Sequence, residues 1–239
     1  MNRDEKIVFD HLIRLYGNNV VFEPIKNETP DFLVNSTIAV EARRLNQHYF
    51  YKEKIEGLEN LSFSIRKIFL EVLRSFNTAY KGKSYWVHFE FERPFSSSYH
   101  CAKKELQITL DNFLNQDISD FPYRIEINPE FIIEIDLKPP VFGRVFQEGG
   151  SVDQNAGGWV TQTYVENIRH CIQVKSTKIY RNIQKYDEWR LYLVDYLGVG
   201  LDLQDVEQTI SLVGSTGNFH KVVVLSPNGY DIQMQMSKP

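Results

Sequence analysis

The chain has 239 residues, 42 % of them hydrophobic, with 27 Lys plus Arg against 31 Asp plus Glu and a net charge of −4. That length suits one large domain or two small ones with ample core, and the slight acidity excludes a strongly basic, nonspecific nucleic-acid binder. No run is long and apolar enough to span a membrane, and the first residues lack an apolar signal segment, so a soluble, cytoplasmic protein is expected.

The first element, Asn2 to Gly17, is an amphipathic helix. Asn2 is its N-cap, Glu5 lies three positions on, Gly17 is its stop, and Val8, Leu12 and Leu15 form its apolar stripe. Glu5 sits one turn before Val8 on that stripe, or else simply closes a capping box at the positive helix end. A short strand, Val20 to Ile25, follows.

Next comes Thr29-Pro30-Asp31-Phe32-Leu33-Val34, a polar turn, then Ile38-Ala39-Val40-Glu41-Ala42-Arg43, which reads as a β-hairpin. A three-residue loop, Asn35-Ser36-Thr37, opposes Phe32 to Val40 and Val34 to Ile38, gathering the bulky apolar groups on one face. The same register opposes Asp31 to Glu41 on the other face, with Cβ atoms about 4.5–5.5 Å apart, and puts Arg43 diagonally beside them. A two-residue loop separates the acids and breaks the apolar face. Paired carboxylates repel unless a cation lies between them or one stays protonated. Mg²⁺ or Mn²⁺, completed by waters and a substrate phosphate, meets that need; a solvent-facing strand edge is the bland alternative.

Beyond the hairpin, Tyr49-Phe50-Tyr51 offers rings that stack on unpaired bases or build core. Residues 45–158 hold helical patterns, one running from Ile55 to Tyr80, and strands at Tyr85 to Arg93 and Arg124 to Leu137. The loop Gly143 to Gly158 contains two Gly pairs without a phosphate-cradle spacing, so it reads as a flexible connection or a mobile flap.

A second helix, Thr163 to Gln184, opens with a capping-box pattern and carries apolar residues at Val165, Ile168, Ile172, Ile179 and Ile183. At about 100° per residue Lys175 falls within that stripe, either inward or as a snorkelling stem, and Lys178 on its flank suits a phosphate. The strand Trp189 to Asp195 follows, then a helix Leu201 to Gly214, a strand Lys221 to Leu225 and an edge strand Gly229 to Met236. Cys101 and Cys171 are isolated and six dispersed His form no metal motif.

Pro30-Asp31, a hydrophobic spacer and Glu41-Ala42-Arg43 resemble the restriction-endonuclease-like superfamily, whose signature is PD-(D/E)XK. The resemblance covers the first 45 residues and, loosely, 163–196. It implies an α/β fold, a mixed sheet flanked by helices with an α-β-β-β-α-β core, made of residues 1–45 and about 163–226 of a single elaborated domain. Residues 46–160 are then an insertion or second lobe, and either Ile55 to Tyr80 or Thr163 to Gln184 supplies the crossover helix. Asp31 and Glu41 become metal ligands, with Glu5 as the acidic residue that some members carry on the first helix. The family expects Lys where this chain has Arg43, which clamps phosphate but accepts no proton. Lys175 matches families that place the lysine on a helix. The implied activity is metal-dependent hydrolysis of phosphodiesters, DNA rather than RNA, with Lys178 and Arg44 as nucleic-acid contacts; a homodimer is left open. The alternative is a nuclease-fold module without catalysis that binds nucleic acid or a protein.

Overall fold

The computed structural model describes residues 1–26, 28–52, 54–77, 82–141, 143–198 and 200–238. The chain forms two compact units, Met1–His48 with Gly157–Pro239, and Tyr49–Ala156. Where the sequence suggested a single domain with an insertion at 46–160, the inserted segment has a sheet and a core of its own.

The first unit is mixed α/β. Helix α1 (Arg3–Tyr16) starts at an Asn2–Glu5 capping box and ends at Gly17, whose φ of 60° is one that glycine adopts without strain. Its inward face is Val8, His11 and Leu12, whereas Leu15 is 55 % exposed: it sits outside the stripe assigned to it, and His11 takes the third inward place. A six-stranded sheet follows the order β1 (Val20–Phe22), β2 (Phe32–Val34), β3 (Ile38–Leu45), β10 (Glu188–Asp195), β11 (Lys221–Leu225), β12 (Ile232–Ser237). The pairs β1–β2, β2–β3 and β11–β12 are antiparallel, and β3–β10 and β10–β11 are parallel. A parallel neighbour for β3 requires a crossover, and helix α4 (Val160–Ile179), which feeds β10, provides it.

Side-chain alternation decides which face each residue of β3 serves. Val40 and Ala42 pack with α1, while Ala39 and Leu45 pack with α4 and with Trp189, Leu191 and Leu193 of β10. Glu41 and Arg43 share the α4 side with Ala39 and Leu45, and Arg44 lies on the α1 side. Strands buried on both faces read as continuous apolar runs, and Leu191-Tyr192-Leu193-Val194 and Val222-Val223-Val224-Leu225 are fully or almost fully buried. Helix α5 (Leu203–Val213) packs on α4.

In the second unit, β4 (His48–Tyr51) pairs with β5 (Lys54–Gly57), and a four-stranded sheet runs β7 (Tyr123–Asn128), β8 (Phe131–Lys138), β6 (Ser84–Phe91), β9 (Phe146–Asp153). Helices α2 (Leu58–Ser75) and α3 (Tyr99–Leu114) cover one face through Ile65, Phe69, Leu106 and Leu110. The expected helix from Ile55 therefore begins three residues later, after a strand, and its expected end at Tyr80 lies outside the described residues. Half of the expected Gly-rich connection is strand β9, paired parallel to β6, with a register shift where His88 of β6 meets the Gly149-Gly150 pair. A Cβ on Gly149 would lie 2.4 Å from the His88 ring, so the glycine admits the imidazole instead of hinging a flap. Among the described residues no helix is long and apolar enough to cross a membrane.

Candidate active site

The hairpin adopts the register that its apolar pattern selects: Phe32 opposes Val40, Leu33 opposes Ala39 and Val34 opposes Ile38. Asp31, one residue before β2, continues that register opposite Glu41. Its Oδ2 accepts the Ala42 N–H at 2.8 Å and its backbone carbonyl accepts the Glu23 N–H at 2.9 Å, so both β3 and the end of β1 hold it. Two residues upstream, Thr29 is buried and its Oγ1 accepts the Asn182 amide N–H at 2.8 Å, tying the approach to Asp31 to the turn after α4.

Above this pair α4 delivers two cations. Lys175 Nζ donates to Glu41 Oε2 at 2.5 Å and to Asp31 Oδ2 at 3.3 Å, and Lys178 Nζ lies 3.2 Å from the same Glu41 oxygen and 3.7 Å from Asp31 Oδ1. Their spacing of three puts both ammoniums on one helix face. The Lys175 side chain is only 12 % exposed, so its head is committed to the carboxylates; that of Lys178 is 48 % exposed, with one side to solvent.

Glu41 is completely buried, and its Oε1 has no hydrogen-bond partner. An isolated buried carboxylate oxygen is costly. Burial pushes the Glu41 carboxyl above the ordinary glutamate range against the pull of Lys175, and the Asp31 charge raises it further. Partial burial acts downward on Lys178, but Glu41 and Asp31 outweigh it and hold its ammonium above the ordinary lysine value.

Two hard oxygen ligands, one of them an orphaned buried atom, fit a divalent cation such as Mg²⁺, which takes one or two protein carboxylates and fills its shell with water and phosphate oxygens. Glu5 adds no third ligand. Its carboxylate accepts the Asn2 backbone N–H at 2.7 Å and the Asn2 side-chain amide at 2.8 Å, because a cap that satisfies an orphan helix donor already claims it. Among the described residues no group of three or more His, Cys, Asp or Glu is placed to hold a metal.

Arg43, on the same strand face as Glu41, turns toward α4, and its guanidinium lies 3.3 Å from His170 Nε2. Arg has no acceptor, so His170 must accept through Nε2 and is the neutral Nδ1–H tautomer. Burial, then the nearby His48 and Arg43, lowers its pKa to about 4. The His48 and His170 rings lie 4.6 Å apart, and Asn167 Oδ1 accepts both the His48 backbone N–H and Nδ1–H at 2.8 Å. A polar seam therefore runs between β3 and α4. Periodicity flags neither His48 nor Asn167, which carry no charge pattern; only the fold brings them to His170.

Arg44, expected as a nucleic-acid contact, lies away from the two acids. On the α1 face of the sheet its Nε donates to Asp4 at 3.1 Å and its guanidinium stacks on the Tyr196 ring at 4.4 Å, so strand alternation turns it away from Glu41. A cleft of about 760 Å³ along the outer flank of α4, lined by Arg169, Ser176, Tyr180 and Arg181, includes neither acid. The chain finds no significant match among protein-family models, curated proteins or solved structures.

Proposed function

We propose that the Asp31–Glu41–Lys175–Lys178 cluster is the active centre of a metal-dependent phosphodiesterase of the restriction-endonuclease-like class, acting on DNA in preference to RNA. The observation that carries this reading is the pair of carboxylates on adjacent strands, bridged by Lys175, with Glu41 Oε1 buried and unpartnered. Asp31 and Glu41 would hold Mg²⁺ or Mn²⁺. When bound, such an ion neutralises charge on the phosphoryl oxygens and lowers the pKa of a water.

In the overall reaction water adds to phosphorus, the bond to the leaving oxygen breaks, and the two protons of the water end on the released hydroxyl and in solvent. Asp31, pinned by the Ala42 N–H, keeps its carboxylate aimed without reorganisation. Lys175 places a fixed positive charge beside the reacting phosphate, while Lys178 reaches the strand as it arrives. Arg43, charged at any working pH, clamps a phosphoryl oxygen and leaves proton transfer to other groups. His170 accepts from Arg43 and so orients its guanidinium.

Mg²⁺ or Mn²⁺ raises the melting temperature of the wild type and not that of Asp31→Ala, and cleavage of plasmid or single-stranded DNA vanishes in Glu41→Ala. Metal stabilisation indifferent to Asp31→Ala, or hydrolysis surviving in Glu41→Ala, refutes the assignment. One observation favours a second reading, a module that binds nucleic acid or a protein without catalysis: Lys175 and Lys178 already balance both carboxylates, and the family's strand lysine is Arg43. Metal titration without cleavage separates the two.

A further inference from the structure

The unit of residues 49–156 contains a pocket of about 370 Å³ whose walls include Tyr49, Tyr51, Lys54, Arg93, Ser98 and Tyr99. Strand alternation places Tyr49 and Tyr51 on one face of β4. Their rings are 5.9 Å apart and nearly parallel, at 9°. Tyr49 is fixed from below: its hydroxyl donates to the Arg93 carbonyl at 3.2 Å, and the Arg93 guanidinium lies 6.0 Å from its ring. Arg93 is itself immobile, its side chain 2 % exposed, donating to Asp153 at 2.6 Å and to the Leu58 carbonyl at 2.7 Å. Its Nε–H is buried without an acceptor. Tyr51, the outer ring of the pair, is 40 % exposed.

A second set of features at the same pocket concerns charge. Helix α3 starts at the rim, where Ser98 is its N-cap and Tyr99 its first residue, and a helix N-terminus favours an anion. Lys54 is a cation in the wall and pairs there with Glu56. The Lys52 ammonium lies 5.1 Å from the Tyr51 ring centroid, so a base that stacks there displaces it from the ring; with that exchange, a half-exposed ring beside a positive helix end matches a ligand with a planar ring and an attached phosphate. The volume falls within the usual range of about 300–1,000 Å³ for small-ligand sites.

We propose that this pocket binds an unpaired nucleotide, its base stacked on Tyr51 and its phosphate at the start of α3. The nucleotide is either free or part of a single strand. A duplex is excluded, because its bases are already stacked on one another and offer no free face. The site lies wholly within its own unit and does not depend on chemistry at Asp31 and Glu41.

The test uses the full chain carrying Glu41→Gln, in EDTA, so that hydrolysis cannot intervene. Fluorescence anisotropy measures binding of a labelled dodecathymidylate, an abasic deoxyribose-phosphate oligomer of equal charge, and a duplex; competition by thymidine monophosphate and by inorganic phosphate completes the set. The thymidylate oligomer should bind more tightly than the abasic oligomer and the duplex. Tyr51→Ala should weaken it roughly 5- to 100-fold, and Tyr51→Phe, which keeps the ring, should not. Competition by the mononucleotide but not by phosphate supports the same site for a free nucleotide; oligomer binding without that competition supports a single strand. Equal binding of base-bearing and abasic oligomers without competition by the mononucleotide, or binding indifferent to Tyr51→Ala, overturns the proposal. Circular dichroism confirms that Tyr51→Ala is folded. Failure of cleavage by the wild type would count against the carboxylate centre alone.

Discussion

Replacing Lys175 with Met keeps most of the side-chain volume and removes the charge that faces a fully buried Glu41 at 2.5 Å. Breaking one half of a buried ion pair costs about 3–5 kcal/mol when the other charge must stay. Here Glu41 escapes by taking up a proton. For a carboxyl with an ordinary pKa of about 4.3, protonation at pH 7 costs roughly 2.7 × 1.36, or about 3.7 kcal/mol, which bounds the charge penalty. Lys178 remains 3.2 Å away and offsets part of it, so the expected loss at pH 7 is about 2–3 kcal/mol. The sign in pH follows from linkage. Burial raises the Glu41 carboxyl of the folded variant, so over a window above about pH 4 the folded chain keeps a proton that the unfolded chain has released; stability is retained below that window and falls by up to about 1.4 kcal/mol per unit as pH rises through it. Urea unfolding followed by tryptophan fluorescence at pH 5, 6 and 7 measures it, since Trp189 is buried in the same layer. The Lys175→Met/Glu41→Gln double variant should lose this slope. A penalty below 1 kcal/mol at pH 7, or one that persists unchanged at pH 5 and in the double variant, would refute the account.

His170, with a pKa pushed down to about 4, stays neutral in the folded protein where the unfolded chain protonates near 6.5. Stability should fall as pH drops from about 6.5 to 4, and His170→Gln should flatten that limb in acid-unfolding curves. Arg44→Ala removes an ion pair and a ring contact on the α1 face, costing about 1 kcal/mol in chemical denaturation with no change in nucleic-acid affinity. Lys178→Ala should instead weaken that affinity and slow cleavage while costing under about 1 kcal/mol. Gly149→Ala sets a methyl against the His88 ring, which is 40 % exposed and can swing toward solvent, so the cost in thermal unfolding should stay under about 1 kcal/mol.

The hairpin was legible because its apolar residues admit one register, and that register alone carries Asp31 to Glu41. Lys175 was legible because an ammonium within an apolar helical stripe calls for a partner. The crossover could not be chosen from pattern: two helices each lead into a strand of similar composition, and only pairing with β3 distinguishes Trp189 from Tyr85. The separation of Arg44 from Glu41 is not legible in charge clustering, which ignores the alternation that sends neighbours to opposite faces. Glu5 satisfied two patterns at once, and the local one, closing on Asn2 three residues away, prevailed over a distant one. Strand β9 is hard to read because glycine pairs suggest turns, whereas Gly149 makes room for His88.

Glu41 and the lysine that neutralises it are 134 positions apart, with the 49–156 unit interposed. At roughly 5–20 residues per second, a ribosome takes about 7–27 s to pass from one to the other. Through that interval one edge of β3 lacks its neighbour and its glutamate stays hydrated. The hairpin must therefore wait in water for its lid, and an early stop anywhere in the interposed stretch leaves a raw strand edge open to another nascent chain.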